Sequence, residues 1–375
     1  MFSNFNFRKY FVDFILTNFK IQVERNLIVI EEIKNHLVIF ASKIHSTMKF
    51  SIIVPVYNRP NEMEELLESL KKQSFKDFEL VVVEDGSKIK SEEVCNNFRS
   101  FFSISYFFKE NEGPSIGRNF GAEKAQGEYL IFTDSDCILP SNYLSKIVSE
   151  LTPDIQGYGG PDESHPEFNN MQKAISYSMT SFLTTGGIRA RKKNEKNYVL
   201  RSFNMTILKE AFLKMGGFPT TKLHPGEDTI FGIDFLKAGY KTKIISEAHV
   251  YHKRRNSIKS FYKQIFNFGK VRYLITKLYP ETFKLTFLFP TCFVLFALFS
   301  VLISPWTLLP LIALGVYLLA IFVDSTIRNK SIKVGLLSVF TTLTQFIGYH
   351  IGFSKTIWKV EFKKEDEFNL GIIKK

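Results

Sequence analysis

The sequence predicts an α/β fold in which a Rossmann-like, mostly parallel sheet is followed by C-terminal transmembrane helices. Strand-like and helix-like segments alternate between residues 51 and 137, which is typical of a parallel sheet with right-handed crossovers. Beyond residue 283 the chain contains three long apolar stretches, and stretches of about 20 apolar residues are candidates for membrane spans. These two observations divide the chain into a sheet-forming part and a membrane part.

The elements of the sheet-forming part can be followed in order. SIIVPVY, which begins at Ser51, reads as a strand, and the segment after Pro60 places its leucines on one face of a helix. FELVVVEDGS reads as a second buried strand. SIGRNFGAEKAQ reads as a helix that Gly127 ends, and a third strand follows it.

Two of the predicted strands end in carboxylates. YLIFTDSDCILP, residues 129–140, is apolar for four residues and then has Asp134 and Asp136 one residue apart, and FELVVVEDGS ends in Glu84 and Asp85. In open α/β sheets, ligands bind outside the carboxyl ends of the strands. Asp and Ser are also ordinary turn residues, so these segments alone are compatible with a ligand site or with a solvated turn.

The composition narrows the classes of partner. The 375 residues include 49 Lys and Arg against 37 Asp and Glu, a formal net charge of +12, which favours anionic partners. The basic residues cluster at 189–201 and 253–255 without a nucleic-acid-binding motif. We therefore expect phosphate groups and anionic lipids, and no nucleic acid. The 3 cysteines show no CxxC spacing, which argues against a disulfide framework or a structural zinc site and fits a reducing compartment.

Three apolar stretches make up the membrane part, Leu285–Ile303, Trp306–Val323 and Ile332–Phe353. The first two, joined by Ser-Pro, predict a helical hairpin with basic flanks in the cytoplasm. The third contains more polar residues and is compatible with a span, a re-entrant segment or a helix buried against the others. Three full spans would place the basic tail on the far side of the membrane, against the positive-inside rule.

Four segments, in this order, resemble the successive motifs of family 2 inverting glycosyltransferases with the GT-A fold. They are SIIVPVYNRP, FELVVVEDGS, GPSIGRNFGAEKAQGEYLIFTDSDC and MGGFPTTKLHPGEDTIFGIDFLKAGYK, which lie within residues 50–275. With the C-terminal apolar stretches, the chain looks like the membrane-attached polysaccharide or succinoglycan-type branch. The resemblance implies a nucleotide-sugar donor, a lipid-linked or saccharide acceptor, and Mg²⁺ or Mn²⁺ as cofactor.

The resemblance implies roles for residues on the donor side. Pro55 and Tyr57 correspond to the wall that binds the base, and Asp85 to the acid that hydrogen-bonds it. Glu84 stands where the family usually has a second Asp. Arg118 corresponds to a contact to the diphosphate, and Asp134 corresponds to a contact to the nucleotide.

The resemblance also implies a metal site and a base. Asp136 and His252 correspond to metal contacts, and His252 is preferred over His249 for this role. In GEDTIF, Asp228 corresponds to the general base that removes the proton of the acceptor hydroxyl, and Glu227 to a neighbour that holds the acceptor or the loop. Paired acids at a helix start are otherwise typical of N-terminal caps. If Asp228 is not the base, Glu227 and the acids of PDES, Asp162 and Glu163, are the next candidates.

These implications predict five regions. Residues 1–47 form an N-terminal extension, either because Met48 is the true initiator or because they form an amphipathic accessory segment. The others are a GT-A domain over 48–255, an interfacial helical linker over 256–284, transmembrane helices over 285–353 and a basic tail over 354–375. We expect the inner cell membrane as location, with the catalytic domain facing the cytoplasm. The sequence leaves the oligomeric state open.

The predicted reaction is the transfer of a single sugar. The Q-x-x-R-W motif of processive synthases is absent, because Gln264 is not followed by Arg-Trp at the required spacing. A processive polysaccharide synthase and an inactive nucleotide-binding scaffold of a polysaccharide assembly complex remain as alternatives. A dehydrogenase fits poorly, because no G-x-G-x-x-G follows the first strand.

Overall fold

The structure, a computed structural model, describes residues 50–186, 197–220 and 225–364. The predictions for residues 1–47, and most of the basic cluster at 189–201, lie outside the described residues. The division of the chain into five regions therefore remains a prediction.

A seven-stranded sheet forms the centre of the fold, with strand order β3-β2-β1-β4-β8-β6-β9. Strands β3, β2, β1 and β4 are parallel, β8 is antiparallel to both β4 and β6, and β9 is parallel to β6. The predicted α/β fold with central parallel strands is confirmed. These strands are β1 Phe50–Val56, β2 Phe78–Asp85, β3 Ser103–Lys109, β4 Tyr129–Thr133, β6 Gly157–Gly159, β8 Asn204–Leu208 and β9 Thr242–Ile244.

Helices cover the sheet and extend beyond it. The described α-helices are α1 Pro60–Lys71, α2 Glu92–Phe98, α3 Pro114–Lys124, α4 Tyr143–Glu150, α5 Asn170–Thr180, α6 Phe182–Thr185, α7 Lys209–Lys214, α8 Glu227–Lys237, α9 Ile258–Leu278, α10 Phe289–Ile303, α11 Leu309–Asn329 and α12 Ile332–Ile357. Short 3₁₀ segments at Pro280–Thr282 and Leu285–Leu288 connect α9 to α10, and a π-helical turn, Trp358–Phe362, follows α12.

The core lies between the sheet and α3, α7 and α8. All residues of β2 and β4 are buried, as expected for central strands covered on both faces. Phe132 of β4 packs against Phe212 and Phe218 with ring centroids 4.9 and 5.1 Å apart. The sequence contains 39 phenylalanines, and aromatic packing of this kind accounts for part of them.

A second, three-stranded sheet joins distant parts of the chain, with strand order β5-β10-β7. Its strands are β5 Cys137–Ile138, β7 Asp162–Glu163 and β10 Val250–His252. His252 pairs with Cys137 across the antiparallel β10 and β5. This short sheet continues from the end of β4, so it brings residues near 252 to the carboxyl edge of the main sheet.

Three C-terminal segments are long and apolar enough to span a membrane: Leu285–Ile303, Leu309–Asn329 and Ile332–Phe362. In the first two, 11% of the hydrophobic window is buried inside the protein, against 44% in the third. The third segment is therefore buried against other helices to a larger extent, one of the arrangements that its polar residues predicted. Its helix continues beyond Phe353 to Ile357.

Helices α5 and α6 of the sheet-forming part contact the candidate spans. The Tyr177 hydroxyl donates to Asp324 at 2.7 Å, and the Tyr317 hydroxyl donates to the backbone carbonyl of Leu183 at 2.6 Å. On α12, Thr341 donates to the backbone carbonyl of Ala174 at 3.1 Å. The sheet-forming part and the membrane part therefore share one packed interface in the described part of the chain.

Candidate active site

The ends of β1 and β2 form one side of the site. Tyr57, directly after β1, is half exposed, and Asn58 adopts a left-handed φ of 53°. The side-chain oxygen of Asn58 accepts hydrogen bonds from the backbone N–H groups of Lys88 and Ile89, at 2.8 and 3.1 Å. This contact ties the loop after β1 to the loop after β2 and leaves the ring of Tyr57 facing solvent.

The two acids at the end of β2 are both buried and both hold loops. Glu84 accepts from the Ser91 backbone N–H at 2.7 Å and from the hydroxyls of Ser87 and Tyr106. Glu84 therefore organises the turn after β2. Glu84, which stands where the resemblance implies an Asp, thus uses its carboxylate to hold this turn.

Asp85 supports the loop before α3. Its Oδ1 accepts from the backbone N–H of Glu112 at 3.0 Å and from Lys109 at 2.9 Å, and its Oδ2 accepts from the backbone N–H of Gly113 at 2.8 Å. Gly113 is the residue before the first turn of α3. Contact of Asp85 with the base of a nucleotide remains a prediction. In such a contact, the carboxylate oxygens of Asp85 would bind the base and the loop at the same time.

Arg118 lies at the centre of the site and is 3% exposed. Its Nη2 donates to Asp134 Oδ1 at 2.6 Å, and its Nη1 lies 3.4 Å from Glu227 Oε1. Burial works against the guanidinium charge, but the two carboxylates outweigh it and raise the pKa of Arg118. Arg118 thus links the acid after β4 to the first residue of α8.

Asp136 and His252 lie together, as their predicted role as metal contacts requires. His252 Nε2 is 3.2 Å from Asp136 Oδ1, and Arg59 contacts the other carboxylate oxygen, Oδ2. Burial favours the neutral acid, yet these two cations hold the pKa of Asp136 below its ordinary value. For His252, burial lowers the pKa and the Asp136 carboxylate more than compensates, so its pKa is raised.

The donor set fits a divalent cation. Ligand atoms of Asp136, Cys137 and His252 lie within 4.8 Å of one another, and the buried Asp136 Oδ1 faces His252 Nε2 at 3.2 Å. Burial raises the pKa of the Cys137 thiol well above its ordinary value, and Mg²⁺ and Mn²⁺ are hard cations that prefer oxygen ligands such as the Asp136 carboxylate to a thiol. Asp136 and His252 are therefore the residues that would hold a metal.

The two acids of GEDTIF have different surroundings. Glu227 is 3% exposed and faces Arg118, whereas Asp228 is only partly buried. Asp228 Oδ1 accepts from the Thr229 backbone N–H at 2.7 Å, while Oδ2 has a long contact of 3.4 Å to the Ser202 backbone N–H. One oxygen of Asp228 is thus anchored and the other is loosely held, which is an arrangement that a base can use.

The remaining candidates lie on the small sheet. His249 faces Glu163, with Nδ1 3.7 Å from Oε1, and Asp162 pairs with the buried Arg254 at 2.6 Å. These acids already have basic partners. Of the described residues near the site, sequence reasoning missed Arg59 and Arg201, which contact Asp136 and Asp228. Arg59 lies within the first motif, two residues after Tyr57, and Arg201 ends the basic cluster at 189–201, so the sequence marked both positions without assigning either to the site.

Known proteins share this fold and these motifs. Residues 51–216 match the family described as Glycosyl transferase family 2. An uncharacterized glycosyltransferase of Haemophilus influenzae is 31% identical over 217 residues, which are 56% of this chain and 71% of the relative. The chain belongs to glycosyl transferase family 2.

Other relatives of this family 2 chain match over shorter segments. A Campylobacter jejuni protein, named GalNAc(5)-diNAcBac-PP-undecaprenol beta-1,3-glucosyltransferase, is 35% identical over 113 residues, 29% of this chain and 36% of the relative. An uncharacterized glycosyltransferase of Rickettsia felis is 41% identical over 108 residues, and the match covers 29% of this chain and 17% of that protein. The chain thus spans well under two thirds of these two relatives.

A solved structure supports the same fold. The mannosyltransferase PcManGT of Pyrobaculum calidifontis, in complex with GDP-Man and Mn²⁺, superposes with a TM-score of 0.51 at 17% identity. The superposition covers 83% of this chain and 88% of that protein. The predicted membership of family 2 and the GT-A fold are confirmed.

Proposed function

We propose that this family 2 chain transfers a single sugar, with inversion, from a nucleoside-diphosphate sugar to an acceptor hydroxyl. The observation that carries the proposal is the bridge that Arg118 makes between Asp134 and Glu227. It brings the strand-end acids, which suit a donor, and the acids of α8, which suit an acceptor, to one site. Reactive groups held on both sides of one site are what direct displacement at a sugar carbon requires.

Asp228 is the proposed general base. Its loosely held Oδ2 takes the proton of the acceptor hydroxyl while the hydroxyl oxygen forms the new bond to the sugar carbon. The bond from that carbon to the diphosphate breaks on the opposite face, and the diphosphate leaves with the electron pair. Glu227 is not the proposed base, because its buried carboxylate faces Arg118. Its proposed role is to position α8.

The donor side has to bind a negatively charged leaving group. Tyr57 offers a ring that faces solvent for stacking on a base, and Pro55 and Asp85 complete the proposed wall. Asp136 and His252 would hold Mg²⁺ or Mn²⁺, which when bound neutralises charge on the diphosphate. Arg59 lies next to this pair, so the proposal assigns its guanidinium to a phosphate oxygen once a donor is present.

The acceptor is proposed to be a lipid-linked saccharide. The Campylobacter relative is named for a saccharide carried on PP-undecaprenol, and three candidate spans support a location at a membrane, where a lipid-linked acceptor would lie. The basic residues beside the first span favour the cytoplasmic side of the inner membrane for the catalytic domain. A soluble saccharide acceptor is the alternative, and the assay below separates the two.

Incubation of the purified protein with UDP-, GDP- and dTDP-sugars, with and without Mn²⁺, tests the proposal. We expect nucleotide release that requires the metal and increases when a membrane-lipid extract is added. The mass of the product counts the sugars: one sugar per acceptor supports single transfer, and a ladder of products would support a processive synthase. If the protein binds nucleotide but releases none from any donor, it is a scaffold.

A further inference from the structure

A small cavity, lined mostly by apolar groups with a few polar side chains among them, lies where the catalytic part meets the candidate spans. It has a volume of about 130 Å³ and lies between α5, α6, α9, the start of α10 and α12. Its polar lining consists of Thr184, Thr185, Arg272, Thr286, Gln345 and Tyr349. A cavity of this size has room for a small polar group such as a phosphate.

The cavity contains a basic group in a fixed position. The guanidinium of Arg272 stacks on the ring of Phe287, 4.0 Å from its centroid, and Tyr349 lines the same cavity. Phe287 lies two residues before α10, inside the first candidate span. A cation at the edge of the hydrocarbon region is costly unless an anion or polar groups face it. A planar guanidinium is well suited to a phosphate.

Gln345 gives a second, independent sign of a ligand. Its side chain is 8% exposed, and its Oε1 has no hydrogen-bond partner among the residues that the structure describes. Its Nε2 has a single long contact, 3.4 Å to the backbone carbonyl of Thr184. A buried amide oxygen without a partner costs free energy. A ligand with a hydroxyl next to phosphate oxygens would donate to Oε1 of this amide and accept from its Nε2.

From this geometry we infer that the cavity binds the phosphate group of a membrane lipid. A lipid is favoured over free phosphate, because two walls of the cavity belong to candidate spans, at Thr286–Pro290 and at Gln345–Tyr349. A phosphate there stays joined to a hydrocarbon chain that lies along apolar helices. The net positive charge and the basic residues around α9 complement such a headgroup.

The cavity is connected to the proposed base through one helix. Arg272 lies on α9, whose residues Val271, Leu274 and Ile275 pack against Ile230 and Ile233 of α8. Helix α8 begins with Glu227 and Asp228. The inference rests on the proposed function, because the bound lipid is the carrier of the acceptor. Helix α9 then holds the carrier in position relative to Asp228.

Binding of a long-chain isoprenyl phosphate to the full chain in detergent, followed by native mass spectrometry, tests the inference. The wild type should bind the phosphate at least about tenfold more tightly than the matching isoprenol, as a charge-assisted hydrogen bond predicts. Arg272→Gln should lose this preference and Arg272→Lys should keep part of it. The control Lys263→Gln changes the same charge on the exposed side of α9 and should bind like the wild type.

Equal binding of isoprenyl phosphate and isoprenol by the wild type would overturn the inference without the use of any variant. Unchanged binding in a folded Arg272→Gln would also overturn it, as would complete competition by an equal concentration of inorganic phosphate. The measurement contains no sugar donor. Loss of lipid binding with intact sugar transfer therefore rejects only this inference, and intact lipid binding without transfer from any donor rejects only the proposed function.

Discussion

The Nη1 atom of Arg118 lies 3.4 Å from Oε1 of Glu227, across a sequence separation of 109 residues, and both side chains are buried. The same guanidinium holds Asp134 at 2.6 Å. A buried charge that loses its partner is left uncompensated in a medium of low dielectric constant. We therefore expect the ion pairs of Arg118 with Asp134 and Glu227 to stabilise the fold and to maintain the geometry of the site.

Replacing Arg118 by Ala should lower the free energy of unfolding by about 3–5 kcal/mol, the usual cost of breaking a buried ion pair. Chemical denaturation of the purified protein measures it. The control is Lys124→Ala, an exposed change on the same helix, which should stay within about 0.5 kcal/mol of wild type. Equal stability of the two variants would show that Arg118 is not a structural link.

Substitution of the proposed base should affect turnover and leave stability alone. Asp228→Asn keeps the shape of the side chain, so we expect turnover at saturating acceptor to fall by about 10²-fold or more. Hydrolysis of the donor without acceptor should fall as well, because water attack needs the same base. Near-normal turnover in this variant would move the base to another acid.

Glu227→Gln should behave differently from Asp228→Asn. It removes a buried charge that faces Arg118, so we expect a loss of stability of about 1–3 kcal/mol and a weaker effect on turnover at saturating acceptor. Denaturation and steady-state kinetics on the same samples compare the two. A larger loss of turnover in Glu227→Gln than in Asp228→Asn would reverse the roles assigned here.

Removal of divalent cations should weaken donor binding. With EDTA, we expect the affinity for UDP or GDP, whichever the wild type binds, to fall at least about tenfold, because the diphosphate charge is no longer neutralised. Calorimetric titration measures it, and Asp136→Asn should show the same low affinity with Mn²⁺ present. The exposed control Glu123→Gln should keep metal-dependent binding. Metal-independent affinity in the wild type would contradict the metal role.

Glycines at the contact between α9 and α12 should tolerate no side chain. A Cβ on Gly269 would lie 2.2 Å from the backbone oxygen of Tyr349, and one on Gly352 would lie 2.1 Å from that of Phe266. We expect Gly269→Ala and Gly352→Ala each to cost about 1–3 kcal/mol by overpacking, measured by thermal unfolding in detergent. Gly315→Ala has open space and should be neutral or stabilising. Similar melting temperatures for all three would argue against close packing of these helices.

Parts of the fold with a strong local pattern were predictable. The buried strands β1, β2 and β4 are continuous apolar runs, and the helix after β1 has apolar residues on one face. Strand β3 and helix α2 were missed. β3 lies at the sheet edge and only Ile104 of its seven residues is buried, so its sequence, SISYFFK, lacks the continuous apolar character of a central strand.

The sequence by itself determined strands β1, β2 and β4, the two pairs of acids at strand ends and the three apolar segments, because each depends on residues that are neighbours along the chain. Only the tertiary structure decided which of these residues meet. His252 reaches Asp136 because β10 pairs with β5 in one register, and Arg118 reaches Glu227 because α3 and α8 pack in the same core against the sheet. Pairings of this kind depend on contacts between segments more than a hundred residues apart, which local periodicity does not encode.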